Sequence, residues 1–285
     1  MFTSSTPLSG GSLTGRFVQH KLNSKHMGGE RTVTVRLPDH YDPDKNYPVV
    51  YLQDGQNMFD ARSGFMGREW QVDETFARLN AGGRVPEAVL VGVHHGPARN
   101  SEYTHRPDPN YGGGEGQKYE DFFMSELMPA VEATYSMDPT RRVLMGSSLG
   151  GLVSLAIGLN HPASFAAVAA LSPSVWWADG QMPTETLERE IGSERPRIWI
   201  DMGTEEGGTD EFGKRSLENG NFSDRPRGGN GVQDVRDRTR EMGEALLSKG
   251  WKLDHDLRYH EPLGARHDES SWAVRIGDVA EWVLR

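Results

Sequence analysis

Gly146-Ser147-Ser148-Leu149-Gly150 sets a serine at the centre of a G-x-S-x-G pattern, and a serine so flanked can act as a nucleophile. At this glycine content roughly 0.3 such matches arise by chance, so the surroundings must carry the reading. The run Arg142-Val143-Leu144-Met145 has the pattern of a buried strand and leads straight into Gly146. The apolar stretch from Leu149 to Asn160 leads out as a helix and stops before Pro162. A sharp strand-to-helix turn needs small residues around the serine and lifts its hydroxyl above the sheet. The N-terminus of the following helix also presents backbone N–H groups to a developing oxyanion. A Gly/Ser turn that only caps a core helix would carry the same five letters; the strand before it and the helix after it favour the nucleophile.

A serine hydroxyl needs a base, and behind such an elbow an acid and then a histidine follow along the chain. Ten histidines are available. His267 stands in Gly264-Ala265-Arg266-His267-Asp268-Glu269, between the last strand pattern (Leu253 to Tyr259) and the last helix pattern, where the base belongs. His255 and His260 lie on or beside that strand and read as structural, and His161 reads as a helix C-terminal residue. His94-His95 closes the strand pattern Ala88 to Val93 and could line the site, but without carboxylate spacing the pair is not read as a metal site. The acid should follow the penultimate strand, Ile198-Trp199-Ile200. Asp201, Glu205, Glu206 and Asp210 all qualify by position. Its work would be to fix the histidine tautomer and stabilise the imidazolium.

These residues need a scaffold that brings strand ends together. Arg31 to Leu37 alternates, Val33, Val35 and Leu37 against Thr32, Thr34 and Arg36, which predicts a half-buried antiparallel strand near a sheet edge. Val49-Val50-Tyr51-Leu52, Ala88-Val89-Leu90-Val91, Arg142 to Met145, Ala167 to Leu171 and Ile198 to Ile200 are short apolar runs, as in parallel strands covered on both faces. Helical spacing joins Val72, Phe76 and Leu79; Phe123, Leu127, Ala130 and Val131; Val235, Thr239, Met242 and Leu246; and Ala273, Ile276, Val279, Ala280 and Val283. Strand and helix alternate from residue 48 on, which predicts a doubly wound α/β fold, a mostly parallel central sheet with helices on both faces. We expect one domain over residues 1–285, with 1–30 as an N-terminal extension. Two polar, glycine-rich stretches after strand ends, 103–116 and 204–231, are expected as inserted loops near the active site.

Composition narrows the function. The chain has 285 residues and a formal net charge of −10, with no long Lys/Arg run, which argues against a nucleic-acid partner. It has no cysteine, so thiol nucleophiles, disulfides and iron–sulfur sites are excluded. No stretch approaches the ~20 apolar residues of a membrane span. The Ser/Thr/Gly-rich start lacks a basic cluster and an apolar segment, so no secretory signal is visible and a cytoplasmic protein is the expectation.

Five ordered blocks carry a family resemblance from about residue 30 onward: Tyr51-Leu52-Gln53-Asp54-Gly55-Gln56-Asn57-Met58-Phe59-Asp60, Gly146 to Gly151, Ser172-Pro173-Ser174-Val175-Trp176-Trp177, Asp201-Met202-Gly203-Thr204-Glu205-Glu206, and Gly264 to Trp272. They resemble the signatures of the α/β-hydrolase family called "putative esterase", which includes enterochelin (catecholate siderophore) esterases and feruloyl esterases. The resemblance implies an α/β-hydrolase fold with Ser148 as nucleophile, His267 as base and Glu206 as the favoured acid, though related sequences often use Asp there and some manage with a Ser–His pair. It implies oxyanion donors at the backbone N–H of Gln56 (or Asn57) and of Leu149, the residue after the nucleophile. Trp176 and Trp177, after a strand end, could wall an acyl or aryl pocket or simply pack in the core. Arg99, with Glu102 and Tyr103, resembles the family's R-x-x-E-Y stretch and could bind an anionic substrate group or contact Glu102. The implied activity is a serine carboxylic-ester hydrolase acting through an acyl-enzyme on a small or aromatic acyl ester (feruloyl, acetyl or siderophore-type). It needs no metal or organic cofactor; the expected partner is a small-molecule ester, with no nucleic acid or membrane, and the oligomeric state is not readable from the sequence. An acyltransferase using the same residues, or a non-catalytic binding protein on the same scaffold, are the rivals.

Overall fold

The structure, a computed structural model, describes residues 1–206 and 235–285. Most of the 204–231 stretch, including the acid candidate Asp210, lies outside the described residues.

Nine strands form the main sheet: β1 (Ser4–Leu8), β2 (Arg16–Ser24), β3 (Gly29–Leu37), β4 (Tyr47–Gln53), β5 (Val89–Val93), β6 (Met137–Ser147), β7 (Ala167–Leu171), β8 (Arg197–Asp201) and β9 (Leu257–His260). Their order across the sheet is β1-β2-β3-β5-β4-β6-β7-β8-β9. The first three pairings are antiparallel, and every pairing from β5–β4 to β8–β9 is parallel. Strands β4, β5 and β7 are buried along their whole length, so the sheet must be covered on both faces.

Among the described residues six longer helices do this: α1 (Val72–Ala81), α2 (Gly116–Phe122, continued by a π-helical turn Phe123–Leu127 and by Met128–Glu132), α3 (Ser148–Asn160), α4 (Trp177–Glu188), α5 (Val235–Ser248) and α6 (Glu269–Leu284). Two apolar layers result. Val50, Leu52, Val143, Met145 and Ala169 face α1 and α6 through Phe76, Leu79, Ile276 and Val279. Val49, Tyr51, Leu144, Val168 and Ala170 face the other helices through Phe123, Val153, Ile157 and Leu246. The alternation along each strand is the two-residue period of the pleat. Among the described residues no helix is long and apolar enough to cross a membrane.

Several expectations are revised. The strand expected to be half-buried at an edge, β3, lies three places in, and its polar residues Thr34 and Arg36 are buried as well. Residues 1–30, read as an extension, supply β1 and β2, which cover that edge. Thr34 Oγ1 finds His94 Nε2 at 3.0 Å, and Arg36 pairs with Asp39 at 3.4 Å, which is how the polar face tolerates burial. The last strand is shorter than its pattern, because residues 252–256 are folded into a turn by bonds from His255, Asp256 and Leu257 N–H to the Lys252 carbonyl. Helix α4 had no sequence signal: it opens through a left-handed turn at Ala178, Asp179 and Gly180, which breaks helical spacing. The 103–116 stretch holds a small antiparallel bridge, Pro107–Asp108 with Gly112–Gly113.

Helix α3 lies so close to β7 that a Cβ on Gly158 would run into Val168 Cγ2, well inside contact distance. Val168 has one stiff χ1 and cannot step aside cheaply. Gly158→Ala is expected to lower unfolding stability by about 1–3 kcal/mol in urea titrations while far-UV circular dichroism stays unchanged.

Candidate active site

The turn between β6 and α3 is the centre of the site. Ser148 sits at φ 55°, in the left-handed region that costs a non-glycine residue strain. A Cβ on Gly146 would stand 2.5 Å from the Gly150 backbone, and one on Gly150 would stand 2.9 Å from Asp54 Oδ2 and 3.1 Å from Gln53 Cβ. Both glycines of the pattern are therefore needed for the turn to pass over itself and over the end of β4. The Ser148 carbonyl accepts the Ser174 N–H at 3.0 Å, tying the turn to the segment after β7.

His267 reaches the elbow from the loop between β9 and α6. Its Nε2 lies 3.0 Å from Ser148 Oγ and its Nδ1 lies 2.7 Å from Glu206 Oε2. The side chains of His267 and Glu206 are 13% and 1% exposed. Burial works against the Glu206 charge, yet hydrogen bonds from His267, Ser172 and the Gly203 N–H hold its carboxyl below the usual carboxylate range. An ionised carboxylate only accepts, so the proton sits on Nδ1 and the Nε2 lone pair faces the serine hydroxyl.

The two other described acid candidates go elsewhere. Glu205 Oε2 accepts from Arg266 Nε at 3.0 Å at the surface. Asp201 is fully buried, its Oδ1 accepting from Arg275 Nη2 and the Ser172 N–H at 3.0 Å each, and its Oδ2 from Trp199 Nε1 at 2.8 Å. Burial outweighs the Arg275 charge and pushes the Asp201 carboxyl up.

Three residues that sequence reasoning gave no part hold Glu206 in place. Ser172 Oγ donates to Glu206 Oε1 at 2.6 Å and accepts from Trp272 Nε1 at 3.0 Å and from Arg275 Nη2 at 2.8 Å. That uses its one proton and both lone pairs. Trp272 also meets the His267 ring edge-on, with centroids 5.1 Å apart. Ser172 and Trp272 stood inside quoted motif blocks, but their partners were not readable there; Arg275, one helical turn after Trp272, carried no signal at all.

Around Gln56 the chain forms a tight turn in which the Asn57 N–H is taken by the Asp54 carbonyl at 2.8 Å. Asp54 itself, at φ 55°, accepts both Arg99 Nε (2.6 Å) and Arg99 Nη2 (2.7 Å). The Arg99–Glu102 contact weighed from the sequence is replaced by this fork: Glu102 instead pairs with Arg31 at 2.9 Å and accepts the Gly96 N–H. Trp177 is 5% exposed and donates its indole N–H to the Arg106 carbonyl at 2.8 Å. Trp176 is half-buried and meets Tyr111 edge-on and Trp177 at a tilt, at centroid distances of 5.9 and 5.8 Å. His94 is pushed down to about 4 by burial, and His95 Nδ1 meets the Gly96 carbonyl at 2.6 Å.

Comparisons with known proteins bear on the family and the fold. The family model "Esterase: Putative esterase" matches residues 24–278. The uncharacterized protein YjcH of Bacillus subtilis is 31% identical over 275 residues, covering 95% of this chain and 98% of its own. The ferri-bacillibactin esterase BesA of the same organism is 30% identical over 175 residues, covering 55% of this chain and 57% of its own. The crystal structure of an IroE-like serine hydrolase from Shewanella oneidensis superposes with a TM-score of 0.71 at 21% identity, over 94% of this chain and 80% of that one, which shows a shared fold.

The lowered Glu206 pKa has a consequence for stability. A depressed carboxyl contributes stability above its unfolded pKa and loses it as pH falls through the folded value. The stability gap between the native chain and Glu206→Gln is expected to hold from neutral pH to about pH 5 and to narrow as pH falls below that, read by urea unfolding at each pH.

Proposed function

The chain belongs to the "putative esterase" family, and on that premise we propose that it is a serine carboxylic-ester hydrolase working through an acyl-enzyme on Ser148. The observation that carries this reading is the continuous hydrogen-bonded chain from Ser148 Oγ through His267 to the buried Glu206. Ser148 Oγ attacks the ester carbonyl carbon while His267 Nε2 takes its proton. Glu206 stabilises the imidazolium through Nδ1–H. The oxyanion is held by the Leu149 N–H at the start of α3 and by the Gln56 N–H; Asn57 is the poorer second donor because its N–H is already bonded. The tetrahedral intermediate collapses, the imidazolium protonates the departing alcohol, and Ser148 carries the acyl group. Water, deprotonated by the same histidine, then attacks the acyl-enzyme and releases the acid.

For the substrate, we favour bulky or aromatic acyl esters of the feruloyl or siderophore kind over short acetyl esters. The half-buried Trp176 with Tyr111 beside it supports that choice, because an edge-to-face aromatic pair near a strand end offers apolar surface to a bulky acyl group. Arg99 acts through Asp54 in this reading and steadies the turn that bears Gln56, rather than meeting the substrate.

Hydrolysis of p-nitrophenyl esters from acetyl to decanoyl, and of an aryl-acyl ester, tests the proposal. Ser148→Ala is expected to abolish turnover and labelling by a fluorophosphonate probe, and Glu206→Gln to lower kcat by about 10²–10⁴-fold with KM little changed. Full esterase activity in purified Ser148→Ala would refute it.

A further inference from the structure

A second hydroxyl stands beside the nucleophile. Ser174 Oγ lies 3.3 Å from Ser148 Oγ, and the Ser174 N–H donates to the Ser148 carbonyl at 3.0 Å. Ser174 is 2% exposed, and among the described residues its hydroxyl meets no other hydrogen-bond partner. Two residues earlier in the same segment, Ser172 donates to Glu206. The stretch after β7 thus touches the nucleophile and the acid alike.

Space alone gives a plain reason for a small residue here. A Cβ on Gly151 would stand 3.1 Å from Pro173 Cβ, so α3 runs close against this segment. Alanine would meet that demand and would bury no hydroxyl. A buried O–H without a good partner carries a desolvation cost, so lack of room does not account for the serine.

The direction of the contact follows from counting protons. His267 carries its ring proton on Nδ1 toward Glu206, so Nε2 can only accept. The single proton of Ser148 therefore goes to Nε2, at 3.0 Å. Ser148 Oγ has only lone pairs left for a further partner, which makes Ser174 the donor. At 3.3 Å the bond is longer than the usual O–H···O distance of about 2.7–2.8 Å. Catalytic hydrogen bonds are often long before substrate binds and tighten as the reaction proceeds. A contact that is weak in the ground state and strong in the transition state is the kind that raises a rate.

Resting on the serine-hydrolase reading, we propose that Ser174 is a further catalytic residue, donating its hydroxyl to Ser148 Oγ as that oxygen gains negative charge. The demand is greatest in deacylation. Water adds to the acyl carbon and gives one proton to His267. The C–Oγ bond then breaks, its electron pair stays on Oγ, and Oγ takes the proton back from His267. Ser174 keeps its own proton throughout and stabilises the departing oxygen. With p-nitrophenyl esters the first step expels a good leaving group, whereas the second must expel this serine oxygen.

Ser174→Ala removes the hydroxyl and keeps the backbone bond to the Ser148 carbonyl; Ser174→Gly, made in parallel, removes the same hydroxyl. Turnover of p-nitrophenyl esters is measured for both, for the native chain and for Ser148→Ala, with intact-mass spectrometry of samples acid-quenched during turnover. Circular dichroism checks that each variant is folded. In the Ser174 variants kcat is expected to fall about 10–100-fold and KM to fall with it. An acyl adduct is expected on a larger fraction of the chain than in the native protein. Unchanged kcat in the folded variants overturns the proposal. So does an equal loss of kcat and kcat/KM with no added adduct, which is what a merely displaced Ser148 gives. If activity survives Ser148→Ala, the serine-hydrolase reading falls as well; if activity needs Ser148 but not Ser174, this inference alone falls.

Discussion

A serine in a left-handed backbone conformation, held above the carboxyl ends of a parallel sheet, is the constraint to which the rest of this structure answers. Such a conformation costs a non-glycine residue on the order of 1–3 kcal/mol and persists only where its surroundings leave no alternative. Here those surroundings are the two glycines of the elbow, the apolar helix α3 that cannot shift because it lies against β7, and the Ser174 N–H on the Ser148 carbonyl. The strain is offset by packing far from the hydroxyl it presents.

Beneath that serine the polar groups form a graded series. Glu206 is kept ionised by donors from three segments, and Asp201 behind it is kept in place by Arg275 and Trp199. Asp54, in the turn after β4, is braced by Arg99, and Arg31 of β3 pairs with Glu102 after β5. Buried pairs of this sort contribute little net stability against an apolar alternative, but losing one partner leaves a costly unpaired charge. They fix geometry more than they add strength, which suits residues that must meet within hydrogen-bond distance from loops far apart in the chain.

The residues proposed to do chemistry were more legible than the residues that hold them. Ser148 and His267 could be read because each occupies a local pattern, an elbow in one case and a loop between the last strand and helix in the other. Position alone left four acids open, and the family resemblance favoured Glu206. The structure supplies the contact with His267 that no spacing could. The Ser172–Trp272–Arg275 cluster and the Asp54–Arg99 fork were illegible for a common reason: they join residues 45 to 103 positions apart, and only the packing of the sheet brings them together. Strand β3 was misjudged because alternation reports the chemistry of a strand's two faces and not what later covers them. Helix α4 was missed because its entry through three residues at positive φ removes the period on which such reading depends.

The two outermost strands set how this sheet meets other chains. β1 is exposed along nearly its whole length and carries Pro7, which has no N–H to offer a further strand. β9, at the opposite edge, is only four residues long. A sheet with long apolar strands in its middle is a ready template for runaway strand addition if its rims are regular and unguarded. With a proline on one rim and a stub on the other, the molecule gives an incoming strand little to copy. Its rims thereby protect an otherwise aggregation-prone interior during the period when the chain is folded but crowded by its own copies.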